Sequence, residues 1–335
     1  MDMKLQHYAG LILLLSSPMV SAAEAASEPK GKWHEGFSGT AMLLFGVAQS
    51  DSQADSGSDT LDSLDDKGDT KTEAFIYPVA ASQVNYTFRG GNQQLFMGTS
   101  NADIALGRPN IQIGYGQHFE QVGTFKISYI PGLLKSTTWE DPFLVGSKRQ
   151  ETDQRIQGAR FQYQEILGTG LGFELAAGQR KIDDELSASN YSADVQSQLE
   201  REGDLYYSEL SYLTSLTPRL FLRSSVAYLK QNAKGDAMAS DTYTGQLAAV
   251  QKFDSSALTI SIKYQYSNFD DTHPIFLETR EDDTVGVLAT YTYDNIFDWP
   301  GVGVALMGGF TEKVSNIDFY QSSNLVLASG VRYVF

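Results

Sequence analysis

A chain of 335 residues with 41 Asp and Glu against 25 Lys and Arg carries a formal charge of -16. Such a balance repels phosphate backbones and excludes nucleic acid as a partner. Cysteine is absent, which excludes a disulfide scaffold, a thiol nucleophile and a lipid-modified amino-terminal cysteine. Hydrophobic residues are 41% of the chain at a mean hydropathy of -0.26, which excludes a helical membrane protein, whereas 18 Tyr and 18 Phe against 3 Trp suit strands and interfaces.

Residues 1–23 have the form of an export signal: Lys4 gives a positive start, 10–15 with 18–20 an apolar core, and Ser21, Ala22 and Ala23 small residues for cleavage. That core is too short to span a bilayer, which takes about 20 apolar residues. Residues 24–35 are polar and are expected in the periplasm.

From residue 36 the chain alternates. GFSGTAMLLFGVAQS (36–50) puts Phe37, Leu43, Phe45 and Val47 on one face of a strand. The Asp- and Ser-rich run 51–73 follows, longer than a compact soluble domain ordinarily holds as a loop. Residues 74–88 read as a strand with a bulge or end at Pro78. The turn 89–92 leads to a return over 93–100, a turn at 105–109, and strands at 110–119 and 124–130. A second long loop, 131–153, precedes strands at 154–167 and 171–181, and a third acidic loop covers 182–204. Strands at 204–216 and 219–231 flank Thr217-Pro218, and strands at 242–253 and 257–267 flank 254–256. In the last of these, Leu258, Ile260, Ile262, Tyr264 and Tyr266 alternate without error with Thr259, Ser261, Lys263 and Gln265. Residues 268–281 read as loop, 283–294 and 301–311 as strands, 312–321 as loop, and 322–335 as the closing strand.

The total is about fourteen strands, or twelve if those around Pro78 and 93–100 merge, each near the roughly ten residues that cross an outer membrane at a tilt. Long acidic connections fall on every second position. The expected fold is all-β: a single antiparallel transmembrane up-and-down β-barrel over 36–335, with long acidic extracellular loops and short periplasmic turns. Its backbone radius is on the order of 14 Å.

With apolar faces toward lipid, the opposite faces line the interior. The lumen-lining candidates are then Lys126, Arg160, Glu174, Glu209, Arg223, Lys263 and Arg332, a mixed set with a cationic tilt. They either line a pore or pair with one another and fill the barrel. The loop 131–153 carries an apolar anchor (Leu133, Leu134, Phe143, Leu144 and Val145) and the constriction candidates Trp139, Glu140, Asp141, Lys148 and Arg149. It either folds inward or packs outside on its neighbours.

No cofactor or metal is called for. Asp62, Asp65, Asp66 and Asp69 offer oxygen ligands, but their spacing is not that of an EF-hand and a solvated loop is the plainer reading. Catalysis finds little support. His34, His118 and His273 lie far apart in sequence, and only His273 with Asp271 suggests a pair, so the chain is not expected to be an enzyme. Gly168-x-Gly170-x-Gly172 joins two strands and is a turn.

The closing strand, SSNLVLASGVRYVF, ends on Tyr333-x-Phe335 and resembles the last strand of Gram-negative outer-membrane barrels. That resemblance implies that Tyr333 and Phe335 form part of the signal read by the barrel-assembly machinery. GRPNIQIGYGQHF, SYIPGLL and TTWEDPFLVGSKRQETD look like a domain-of-unknown-function family of porin-like outer-membrane proteins in Gram-negative bacteria. The likeness covers nearly all of the mature chain, implies outer-membrane lipid and lipopolysaccharide as surroundings, and transfers no site residue. The expected function is a passive channel for small hydrophilic solutes. The alternatives are a closed barrel serving surface binding or structure, and a transporter of hydrophobic substrates.

Overall fold

The computed structural model describes residues 33–335 except 56, 66–68, 78–81 and 101–109. The expected export signal over 1–23 lies outside the described residues, as do 24–32 of the expected periplasmic segment.

The strands are β1 (Gly36–Ser50), β2 (Lys71–Tyr77), β3 (Gln83–Phe88), β4 (Gln93–Gly98), β5 (Gln112–Phe119), β6 (Gly123–Ile130), β7 (Lys135–Trp139) and β8 (Glu151–Gln164). They continue with β9 (Leu171–Ile182), β10 (Gly203–Thr217), β11 (Leu220–Ala233), β12 (Ser240–Lys252), β13 (Ser256–Thr272), β14 (Thr279–Asp294), β15 (Val302–Ser315) and β16 (Ser322–Val334). All pairing is antiparallel, and β16 returns onto β1 from Thr40↔Val334 to Ser50↔Asn324, so the sheet closes into a barrel. Closure is what allows a sheet to cross lipid, because backbone groups left unpaired there find no water.

Two barrel staves are each built from two strands. β2 pairs with 44–50 of β1, and β3 with 36–40 of the same strand. The expected interruption at Pro78 falls between them, outside the described residues. Likewise β6 pairs with 158–164 of β8 and β7 with 151–155. The bend between β6 and β7 contains Pro131, which has no N–H to donate, and Gly132 at φ 70°. Sixteen strands thus make fourteen staves, as the sequence pattern predicts.

The outer wall is apolar. Leu247 and Ile262 are cross-strand partners, 55% and 54% exposed on the chain itself. Aromatic rings border this belt, as at both interfaces of membrane barrels. On the short-turn side Phe37 and Tyr86 lie 4.9 Å apart, Phe125 and Tyr163 stack at 4.2 Å, and Tyr333 and Phe335 stack at 5.9 Å. On the long-loop side stand Tyr206, Tyr228, Tyr243 and Tyr264. Two inner-wall glycines let aromatic rings lie flat against the sheet. A Cβ on Gly46 would sit 2.4 Å from the Phe75 ring, and one on Gly114 2.3 Å from the Phe96 ring.

The strands run further on the loop side than the sequence pattern suggests. Residues 135–139 and 151–153, expected within a loop, are strand. The expected loops at 268–281 and 312–321 shrink to 273–278 and 316–321. β13 has 17 residues, or about 40 Å of height at about 3.3 Å per residue and a 40° tilt, against an apolar belt about 25 Å tall. Above the belt both faces meet polar surroundings, so the apolar-polar alternation fades while the backbone ladder continues.

Candidate functional site

The barrel interior begins with the parity of the strands. Lys126, Arg160, Glu174, Glu209, Arg223, Lys263 and Arg332 all lie on inner faces, opposite in parity to exposed neighbours such as Ile127, Phe161, Leu175, Leu210, Ile262 and Val331. Four of them form one row. Arg160 donates to Glu174 at 2.7 Å, and Arg223 to Glu209 at 2.5 Å. Glu174 and Glu209 face each other across the β9–β10 ladder, so each carboxylate needs its flanking arginine to offset like-charge repulsion. Gln162 donates to the same Glu174 oxygen as Arg160, at 3.0 Å, and the Tyr207 hydroxyl to the Glu209 oxygen that Arg223 leaves, at 2.9 Å. Lys263 reaches Gln265 at 3.3 Å. Lys126 lies 5.9 Å from the Phe96 ring and 6.0 Å from that of Trp33. Arg332 pairs with Asp294 at 3.1 Å near the short-turn end.

The mouth is spanned by loops. Phe143, in the loop that follows the fifth stave, lies 5.4 Å from Phe319, which follows the thirteenth. In a ring of fourteen staves these positions are nearly opposite, so the two loops meet over the barrel axis. Around them gather Leu61, Ala188, Leu199, Ala237, Met238 and Tyr320, from three further connections as well as the same last loop. The result is a single apolar core above the interior, formed by loops from most of the circumference.

Buried polar groups fasten this roof. The Asp141 carboxylate accepts from the backbone N–H groups of Phe143, Ala188 and Ser189 and from the Ser189 hydroxyl, at 2.7–2.9 Å, which ties loop 140–150 to loop 183–202. Arg149 donates to the carbonyls of Gln53 at 2.7 Å, Pro142 at 3.1 Å and Ser58, and lies 4.4 Å over the Trp139 ring. Burial lowers its pKa to about 10, which leaves it charged at neutral pH. Arg201 joins Glu185 to Thr138 Oγ1 and to the Trp139 and Glu140 carbonyls. Of the constriction candidates, Asp141 and Arg149 are therefore internal fasteners. Trp139 is the last residue of β7 and is 1% exposed. Glu140 lends its backbone to Arg201, and Lys148 stays exposed, 3.5 Å from Asp59.

His273 is fully buried in the roof. Its Nε2 lies 2.9 Å from the Tyr320 hydroxyl, and its Nδ1 accepts from the Ile275 N–H at 3.3 Å. Desolvation, aided by the nearby Arg280 cation, lowers its pKa to about 3. The suggested rim pair with Asp271 is replaced by this packing, and Asp271 caps its neighbour Thr272 instead. His118 sits far off on the β5–β6 side, 2.9 Å from Thr124 Oγ1.

Several inward residues escape a reading that ends β15 at residue 311 and begins β14 at 283. Arg280 pairs with Asp282 and stacks 3.5 Å over the Tyr320 ring and 4.3 Å over that of Phe269. Lys313 sits one step beyond Thr311 on the same inner face. The parity that exposes Phe310 extends through Glu312 and Val314 and would have placed Lys313 inward.

Residues 36–334 match the family described as "Protein of unknown function (DUF2860)". No curated protein matches the chain in sequence. Among solved structures it is similar to a loop L8 deletion mutant of OmpT, an outer membrane protein of Vibrio cholerae, at 11% identity and a TM-score of 0.43, over 89% of this chain and 99% of that one. It is similar to the CymD monoaromatic hydrocarbon channel at 11% identity and a TM-score of 0.45, over 90% and 89%. It is also similar to the COG4313 outer membrane channel from Pseudomonas putida F1 at 8% identity and a TM-score of 0.44, over 92% and 99%.

Proposed function

The chain belongs to the DUF2860 family, and from its own geometry we propose that it is a passive outer-membrane channel for small hydrophilic solutes. The observation that carries this reading is the charged row Arg160–Glu174 and Glu209–Arg223 inside a closed barrel of fourteen staves with an apolar belt. Fixed charges along a polar interior are what select solutes in a conducting barrel, and this row places four of them on one stretch of inner wall. Five inward cations among the seven candidates, against two inward carboxylates and the Asp294 partner of Arg332, favour anions. Under this reading the chain is exported by its signal over 1–23, and Tyr333 and Phe335 address it to the assembly machinery of a Gram-negative envelope. Lipid and lipopolysaccharide then surround the belt.

The test is conductance of refolded protein in a planar bilayer, with the reversal potential read in a KCl gradient. Wild type is expected to prefer chloride, and joint replacement of Lys126, Arg160 and Arg223 by glutamine to turn the preference toward potassium. An unchanged reversal potential refutes the interior assignment.

A second reading draws on the roof: a closed barrel that displays a loop surface to partners. It predicts no conductance, with surface binding abolished by deletion of the loops.

A further inference from the structure

Beneath the roof, the inner wall of β14, β15, β16 and β1 carries a patch of polar groups on adjoining register positions. Lys313 is opposite Thr284 on one side and Ser322 on the other. One step down, Thr311 is opposite Asn324, which is opposite Ser50. Cross-strand neighbours of this kind are within about 5 Å at Cβ, and diagonal ones within about 8 Å. Lys313, Ser322 and Asn324 are all buried, at 7%, 4% and 7% exposure. Among the described residues the Ser322 hydroxyl and both amide atoms of Asn324 have no hydrogen-bond partner. Buried polar groups are ordinarily satisfied, and a cluster of unsatisfied ones on one wall calls for an occupant.

The charge around the patch has a sign. Arg280 is oriented by Asp282, two residues along the same inner face, and is backed by the rings of Tyr320 and Phe269. Asp55, from the loop 51–70, lies within electrostatic reach of Arg280, Lys313 and Arg180. Asp282 already holds Arg280, and Asp55 is shared among Arg280, Lys313 and Arg180, so Lys313 has no carboxylate of its own. The remaining donors match an oxyanion: three N–H groups on an ammonium, an amide NH2 and a hydroxyl.

We propose that Lys313, Asn324 and Ser322, with Arg280 beside them, form a binding site for a small carboxylate- or phosphate-bearing anion on the inner wall below the loop roof. This deepens the channel reading, from which it takes a solute inside the barrel, but binding is measurable without conduction. The site differs in place and in donors from the Arg160–Glu174 and Glu209–Arg223 row: its direct donors are Lys313, Asn324 and Ser322, and Arg280, held by Asp282, adds only charge.

The mature chain, folded in detergent micelles and checked by heat-modifiable migration, is titrated calorimetrically with inorganic phosphate, with succinate, and with glucose as a neutral control. Saturable binding of phosphate, succinate or both is expected, and none of glucose; which anion binds more tightly selects the chemistry. Lys313→Met and Asn324→Leu are each expected to weaken binding at least about tenfold. Lys313→Arg keeps the charge and retains binding, and Arg219→Gln, at an exposed periplasmic turn, leaves it unchanged. The proposal is overturned if the folded wild type binds neither anion, or if Lys313→Met binds as tightly as wild type while correctly folded. Bilayer current recorded on the same preparations separates the two readings. Binding without current removes the channel and keeps the site, and current without binding does the reverse.

Discussion

Leu247 and Ile262 on the outer wall are more than half exposed on the chain, whereas Phe143, Leu199 and Phe319 in the roof are all but inaccessible at 2%, 0% and 2%. Both sets are apolar, yet their burial has different sources. The wall hands its surface to lipid, so its stability depends on what surrounds the barrel. The roof buries its own side chains, as a small soluble domain does, and then needs polar fasteners because its backbone is loop and has few ladder bonds. The sharpest way to break this contrast is a charge on the wall. Ile262→Arg is expected to destabilise the folded barrel by about 2–4 kcal/mol, the depth-dependent figure for a cation near the bilayer midplane. Denaturant unfolding in lipid vesicles measures it, and a loss well under 1 kcal/mol would mean that this face does not meet lipid.

The same contrast predicts that the roof fails separately from the barrel. Asp141→Ala removes four accepted hydrogen bonds at a buried carboxylate, and bonds to charged groups are worth roughly 1.5–3 kcal/mol. The expected result is a roof that opens about 10- to 150-fold more often, read as faster proteolysis within loop 183–202, while heat-modifiable migration of the barrel is kept. Simultaneous unfolding of the barrel would show roof and wall to be one cooperative unit.

Acid provides a third, somewhat smaller lever. His273 has its pKa lowered from 6.5 to about 3 by burial and by Arg280. Its neutral form is thus favoured when the roof is closed, and once exposed it takes up a proton more readily. The stability this supplies is complete above about pH 6.5 and is lost as pH falls toward 3, at up to about 1.4 kcal/mol per pH unit, or about 2 kcal/mol by pH 5. Proteolysis of the roof loops should therefore quicken between pH 6.5 and 5 in wild type. His273→Phe should flatten that dependence, and an equally steep profile in the variant would assign it to other groups.

The two regions also differ in how far the amino-acid sequence discloses them. The wall was legible because one physical rule, apolar side chains at every second residue, operates locally within each strand. Leu258 to Tyr266 show it without a break, and fourteen staves follow. Legibility stops where the rule stops. Above the belt Arg280, Asp282 and Lys313 continue the ladder with polar residues on both faces, so the strands look like loop. The roof was only partly legible for a different reason: Phe143 stood out in the apolar anchor of loop 131–153, but Leu61, Leu199, Met238 and Phe319 lie in other loops, and only closure of the barrel brings them together. Asp141 and Arg149 stood out in sequence as charges for a constriction, but whether a charge faces solvent or a backbone carbonyl depends on the loop across from it. His273 was conspicuous next to Asp271, yet its partner, Tyr320, lies 47 residues away.

The smallest effect expected concerns the exposed rim, where Lys135 contacts Asp153 at 3.0 Å and Asp183 at 2.9 Å, and Arg155 also contacts Asp183. The flanking cations hold the Asp183 carboxyl below its ordinary pKa, but the side chains remain roughly a third exposed and solvent screens them. Exposed pairs contribute about 1 kcal/mol or less and weaken with salt. Lys135→Met should therefore leave proteolysis of the roof within about a factor of five of wild type, and the difference should fade at high ionic strength. Asp141→Ala at the same salt should keep its full effect, because its partners are backbone N–H groups shielded from water. If instead Lys135→Met opens the roof as readily as Asp141→Ala, the roof is held from its edge, and the buried fasteners around Phe143 are a consequence of closure and not its cause.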